Sequence, residues 1–314
     1  MARRVSTRSF APWIVALLIW VLARIACVVY VERKADEPST NEARVIVSDR
    51  TETVMQPLDV APPQSERWRD ITGVGYDGRF REAFSYEDTR RHRAEVRYDS
   101  EAQTLQGAVL ARGLKPNFAY QLKLVGLEPL MGARAEDNAL DPRVWSSWQL
   151  GRLGRWWCED CQWNVGDADL SAHVEDGHAV TGYLLFDWLV TDARGDAQHR
   201  FSLDSSLHVL WRVGQRDRAS NDSPPRWYTI SRPSEVYPPA AAEARQQVGI
   251  FGEWEPDRPR IGSARLAPGS YHVGMNLTEE SFHDNMDEER ELEGGGFWAW
   301  VLQSELQFEV REER

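Results

Sequence analysis

Lysine is nearly missing from this chain: among 37 basic side chains only Lys34, Lys115 and Lys123 are lysine. Positive charge is therefore carried by arginine, a composition that reads as coding bias rather than as a functional device. Acids outnumber bases, and the formal charge is −12. With the six basic residues and one acid of the first 34 set aside, the remainder carries about −17. Nucleic-acid binding is dominated by phosphate neutralisation, so a body this acidic excludes DNA and RNA as partners. Familiar catalytic signatures are missing too: there is no Gly-x-Ser-x-Gly elbow, no His-Glu-x-x-His and no glycine-rich phosphate loop. Helical periodicity is scarce, confined to a short stretch after Asp141-Pro142, to 239–248 and to 278–292.

What is present begins with an address. Arg3, Arg4 and Arg8 precede an apolar run over 10–31 interrupted only by Arg24, and about 20 such residues span a bilayer. Positive charge ahead of the run predicts a cytoplasmic N-terminus over 1–9, a transmembrane signal anchor over 10–31, and an extracytoplasmic body, in periplasm or outside the cell. Arg24 can snorkel to the outer interface. Two cleaved forms compete with the anchor: processing after Val21-Leu22-Ala23, or lipidation at Cys27 within Ile25-Ala26-Cys27. All three export the body, and the membrane is its first expected partner.

Residues 32–67 shift to Asp, Glu, Pro, Ser and Thr and read as a flexible tether, with a short strand weighed at 44–47. The remaining 68–314, within a chain of 314 residues that is 42% hydrophobic, can bury a sizeable core. Period-two alternation predicts strands at 94–98, 105–110 and 118–124, then 178–190, a hairpin turn at 192–196, and a return over 201–213. A last strand places Trp298, Trp300, Leu302, Leu306, Phe308 and Val310 on one parity, which assigns Trp188, Trp298 and Trp300 to core faces. Between about 126 and 177 the periodicity fails, and a loop-rich insertion of tryptophan, cysteine and acid is expected. Asp141-Pro142 caps and opens a short helix there, carrying Val144, Trp145 and Trp148. The fold class expected is mainly β: an antiparallel β-sandwich, immunoglobulin/fibronectin III-like or jelly-roll-like, with two sandwiches over 68–130 and 178–314 as the alternative.

Leu114-Lys115-Pro116-Asn117-Phe118-Ala119-Tyr120 resembles the tyrosine corner of immunoglobulin-like and fibronectin type III sandwiches, in which the hydroxyl bonds back to the chain. Leu266-Ala267-Pro268-Gly269-Ser270-Tyr271 repeats the phrase one residue shorter. The segments LKPNFAYQLKLVG, GYLLFDWLVTDARGD, SSLHVLW and LTEESFH resemble a family of exported prokaryotic β-sandwich proteins, over most of the chain from Leu105 onward. That resemblance implies a fold and an address and carries no activity with it.

Four side chains stand out as a candidate metal site. Cys158 and Cys161 are spaced C-x-x-C, and His173 and His178 follow after eleven and then four residues, near the two-cysteine, two-histidine zinc pattern. Zinc or copper would suit thiolates and imidazoles. In an oxidising compartment the same cysteines can instead form a disulfide. Redox catalysis of the thioredoxin type fits worst, since no buried strand precedes the motif and no amphipathic helix follows. Asp167, Asp169 and Ser171 alternate like a calcium loop, but Ala172 and His178 occupy the positions an EF-hand gives to Gly and Glu, so that motif is rejected. The acidic run at 284–289 reads as a solvated face. Trp145, Trp148, Trp156, Trp157 and Trp163 in the insertion are candidates for a ligand surface, glycan or protein, with self-packing as the competing use.

Function is accordingly expected to be non-catalytic, in binding or envelope structure. A metal-dependent enzyme with Glu175 as base and a carbohydrate-binding module are the alternatives.

Overall fold

The computed structural model describes residues 50–58, 66–131, 141–216, 218, 222–242, 245–255, 258, 263–280, 282 and 298–312. The apolar run at 10–31 with its processing sites, the strand weighed at 44–47 and the acidic run at 284–289 lie outside the described residues. Among the described residues no helix is long and apolar enough to cross a membrane.

The chain from Asp49 to Arg314 is one unit, mainly antiparallel β. Its small sheet has the order β1 (Arg50–Val54), β3 (Arg93–Asp99), β5 (Gln106–Arg112), β10 (Ala197–Ser202). The large sheet runs β12 (Arg226–Ile230), β13 (Gln246–Trp254), β11 (Leu207–Arg212), β9 (Val180–Val190), β6 (Ala119–Gly126), β14 (Gly269–Glu280), β15 (Trp298–Val310), β2 (Gln56–Pro57). Off that path, β4 (Glu101–Ala102) pairs in parallel with β15, β7 (Arg155–Cys158) pairs with β9, and β8 (Trp163–Val165) pairs with β7. Among the described residues three short α-helices accompany the sheets: α1 (Gly78–Ala83), α2 (Pro142–Leu153) and α3 (Leu170–Glu175).

Alternation along each strand separates two cores. Tyr120, Leu122 and Leu124 of β6, Val273 and Leu277 of β14, and Leu306 and Phe308 of β15 pack with Val96, Val109 and Phe201 of the small sheet. The opposite face of the large sheet buries Leu185, Trp188, Leu207, Leu210, Ile250 and Trp254. Burial of both faces is possible because the sheet curls.

Several expectations change. The tether reading fails from Arg50, because β1 and β2 pair with β3 and β15. Their sequence is polar since β1 is mostly exposed on the edge of the small sheet. The two-sandwich division does not describe the molecule, as β6 lies between β9 and β14. The turn at Asp192 and Gly195 closes no hairpin, since β10 crosses to pair with β5. Gly195, at φ +80°, lets that turn sit on the Leu114 loop, where a Cβ would lie 1.9 Å from the Leu114 carbonyl oxygen. No helix forms at 239–248 among the described residues; Pro238 opens a turn and β13 begins at Gln246.

Both tyrosine corners form. Tyr120 Oη accepts from Lys115 N at 3.0 Å, and Tyr271 Oη donates to Ala267 O at 2.7 Å. Beneath the first lies a buried ionic cluster. Lys115 Nζ is 2.6 Å from Glu279 Oε1 and Arg67 Nε 3.0 Å from Glu279 Oε2, while Tyr86 Oη donates to Glu279 and meets Tyr120 Oη at 2.8 Å. Burial lowers Lys115 to about 8 even against the opposing pull of Glu279. Burial, followed by the Glu279 charge, holds the Tyr86 and Tyr120 hydroxyls well above their ordinary value. These groups pin β14 to the loop before β6 and to the turn at Trp68, whose ring lies 4.3 Å from Lys115 Nζ.

The insertion is more regular than its sequence suggests. Asp141 Oδ1 accepts from Arg143 N at 2.9 Å and Pro142 opens α2. The helix lies directly on β9, where a Cβ on Gly182 would come 1.8 Å from Ser147 O. Strand β7 then extends the large sheet beyond β9 and carries the cysteine hairpin.

Candidate functional site: an aromatic cleft beside a cysteine–histidine hairpin

Register brings six strands to one cleft of about 110 Å³, lined by Lys123, Arg155, Trp157, Asn164, Tyr183, Glu280, Trp298 and Trp300. Trp157 pairs with Asn164 across β7 and β8, Arg155 with Tyr183 across β7 and β9, and Glu280 with Trp298 across β14 and β15. Directly opposed residues share a sheet face. Strands β7 and β15 are separated by β9, β6 and β14, roughly 19 Å in a flat sheet at about 4.8 Å per strand. Yet the Trp157 and Trp298 rings meet at 5.4 Å and 79°, with Trp298 and Trp300 at 5.7 Å and 50°. The cleft is thus on the concave side of the curl.

The assignment of Trp298 and Trp300 to the core is corrected here. Leu277 pairs with Leu302 but Thr278 with Trp300, so Val301 is an extra residue in β15. Such a bulge shifts the strand's parity by one. Ala299 and Val301 turn inward, and Trp298, 41% exposed, and half-buried Trp300 face the cleft. Trp188 is on a buried face, at 2% exposure.

The polar groups are fixed in place. Lys123 Nζ lies 2.7 Å from Glu280 Oε2, and Tyr183 Oη donates to Asn164 Oδ1 at 2.9 Å. Arg155 pairs with Glu255 and donates to His208 O at 2.8 Å. Burial raises the Glu255 carboxyl, with Arg155 opposing. On the same face, Gln121 Oε1, Thr278 Oγ1 and the Asn276 amide are buried without a protein hydrogen-bond partner. Gln121 and Thr278 face one another across β6 and β14, and Asn276 faces Lys123.

Of the five insertion tryptophans only Trp157 reaches the cleft. Trp156 is 1% exposed, donates to Asp167 Oδ1 at 2.7 Å and packs 5.4 Å from Trp148. Trp145 packs on the main core, and Trp163 is 58% exposed on β8. Asp167, one of the alternating acids, is used by Trp156 and by Arg258, whose hydrogen bond lowers its carboxyl.

The Cys158, Cys161 and His178 donor atoms lie within 4.8 Å of one another, and the His173 and His178 rings are 5.7 Å apart. Here Cys158 and Cys161 are joined in a disulfide across the β7–β8 turn, with Cα atoms 5.2 Å apart. Glu175 is exposed on α3.

A third cluster had no signature in the sequence. Asp187 Oδ2 is 2.6 Å from His199 Nε2 and Asp187 Oδ1 is 2.7 Å from Arg226, whose guanidinium lies 3.8 Å over Trp188. A pocket of about 360 Å³ opens beside it, between Trp188, Trp254, Arg200 and Pro225. His199 and Arg226 thus share the two carboxylate oxygens of Asp187. The cluster's residues come from three strands, so no local pattern marks it.

Comparison with protein-family models, with curated proteins and with solved structures finds no match to this chain.

Proposed function

We propose that the chain is a membrane-tethered, extracytoplasmic β-sandwich protein that binds a carbohydrate in the concave cleft without transforming it. The observation carrying this reading is the convergence of Trp157, Tyr183, Trp298 and Trp300 around Lys123, Glu280 and Asn164. Flat rings offer apolar faces to the C–H side of a sugar ring, while fixed polar groups address its hydroxyls. The ionic groups are paired, Lys123 with Glu280 and Arg155 with Glu255, which favours a neutral, polyhydroxylated ligand over a charged one. The partnerless Gln121, Thr278 and Asn276 atoms add hydrogen-bonding capacity on the same face. Glycoside hydrolysis ordinarily needs two carboxyl groups flanking the scissile bond. Among the described lining residues Glu280 is the only carboxylate, and Lys123 holds it, which supports binding over hydrolysis. The tether rests on the basic and apolar run of the first 31 residues.

The test is titration with soluble gluco-, manno- and chito-oligosaccharides, following tryptophan fluorescence and heat. At least one series should perturb the tryptophans and release no shortened product. Trp300→Ala should weaken that binding by about tenfold or more, equal to about 1.4 kcal/mol. If every series is silent by both readouts on folded protein, the reading is wrong.

A further inference from the structure

We propose that the hairpin β7–β8 and helix α3 form a structural zinc site when the cysteines are reduced, with Cys158, Cys161, His173 and His178 as its four ligands. The disulfide is the oxidised alternate of the same site. This inference is independent of what the cleft binds.

The topology is the first support. A two-stranded hairpin with C-x-x-C at its turn is followed by a short helix bearing His173, and His178 follows with four residues between the two histidines. This is the β-β-α order with the ligand spacing that closed two-cysteine, two-histidine zinc sites use. Such a unit needs a small apolar core beneath the ion, and one is present. Trp156, Val165, Leu170, Val174 and Val180 pack together with Cys158, which is wholly buried.

Geometry is the second. Three donor atoms already lie within 4.8 Å of one another. Ligands at about 2.0–2.3 Å from a tetrahedral ion are about 3.3–3.8 Å apart, so these three need shifts on the order of 1 Å, and His173, whose ring centre lies 5.7 Å from that of His178, must turn toward them to complete the site. The Cα separation of 5.2 Å is set by the hairpin and leaves the sulfurs free to part by side-chain rotation.

Ring orientation is the third. Metal-bound histidines commonly engage their second nitrogen with a carbonyl or carboxylate. His173 Nδ1 is 3.0 Å from Asp169 O, and His178 Nδ1 is 3.8 Å from Asp160 Oδ2, which itself accepts from Ala179 N at 3.0 Å. Both rings then have Nε2 to offer. Glu175 takes no part.

The chemistry balances with a dithiol as reductant. Its two electrons and two protons convert the Cys158–Cys161 disulfide to two thiols, and the dithiol leaves as its own disulfide. Zinc then displaces the two thiol protons and binds two thiolates and two neutral imidazoles. Either state fastens the hairpin that carries Trp157 and Asn164.

The experiment uses the full chain in detergent. Metal and free thiol are first measured as isolated. The protein is then reduced with a phosphine, desalted without oxygen and titrated with cobalt(II). Expected are one equivalent of cobalt, thiolate-to-cobalt charge-transfer absorption, tetrahedral d–d bands and displacement by zinc. Cys161→Ser and His178→Ala should each weaken cobalt binding by more than about a hundredfold, a larger loss than outer-shell changes give. Near-ultraviolet circular dichroism checks that each variant keeps its fold. Reduced protein that takes up no cobalt, that takes it up equally well with Cys161→Ser, or whose hairpin loosens on reduction and is not restored by metal overturns the proposal.

Discussion

Consecutive residues of β14 each hold a lysine, on opposite faces of one sheet. Glu279 meets Lys115 at 2.6 Å with both side chains 0% exposed, and Glu280 meets Lys123 at 2.7 Å with the two at 18% and 10%. The contacts are nearly identical in length, but their surroundings are not. Lys115 also donates to Arg67 O, and Glu279 also binds Arg67 and Tyr86, so the inner pair is a closed cluster beneath the small sheet. The outer pair lines an open cleft. One salt-bridge geometry thus sits in a closed core on one face and beside an open cleft on the other, and what surrounds it makes the difference.

The largest effect should come from breaking the inner pair. Lys115→Met leaves Glu279 buried with one cationic partner fewer, and removing one member of a buried pair costs about 3–5 kcal/mol. Urea denaturation should show that loss, and a change under about 1 kcal/mol would mean that Arg67 alone suffices for Glu279.

Next is pH. Lys115 titrates near 8 in the folded protein against 10.5 unfolded. Between those values the unfolded chain holds a proton that the folded one has released, so stability rises with pH, by at most about 1.4 kcal/mol per unit for one proton. Above about 10 the effect is opposed, because Tyr86 and Tyr120 ionise more readily unfolded. Urea midpoints at pH 8 and 9.5 should differ in the native protein, and the difference should shrink in Lys115→Met.

Glu280→Gln should cost less than about 1 kcal/mol of stability, as expected for a pair near water. It should weaken the cleft's ligand about tenfold, as read by calorimetry. Salt gives the smallest effect. Raising ionic strength screens exposed charges and leaves buried ones nearly untouched. Moving to 0.5 M sodium chloride should reduce the Glu280→Gln stability difference by a few tenths of a kcal/mol and leave that of Lys115→Met unchanged.

Much of the framework was legible in sequence because its signals are local. Period-two alternation located β3, β5 and β6, Asp141-Pro142 marked the start of α2, and the Leu-x-Pro phrases marked both tyrosine corners. The cleft was not, since it depends on which distant strands become neighbours and on a parity change at one residue. Trp298-Ala299-Trp300-Val301-Leu302 reads as continuous alternation unless Val301 and Leu302 are both allowed to face inward. The crossing of β10 between sheets was hidden for a related reason. A turn sequence specifies reversal of the chain, whereas pairing is decided by which exposed edge the next strand meets. The ionic cluster was equally hidden, as Lys115 and Glu279 are ordinary polar residues until the fold encloses them.

The same pairs determine how the protein meets amine-reactive chemistry. Of three lysines, Lys115 is 0% and Lys123 8% exposed, and each amine is in an ion pair. Acylating reagents attack a free, accessible amine, so both sites should stay unlabelled while the fold holds. Labelling at Lys123 but not Lys115 would report release of Lys123 from Glu280 at the cleft, and labelling at Lys115 would report loss of the core. Two residues that are scarce by composition thereby become separate gauges of local and global unfolding.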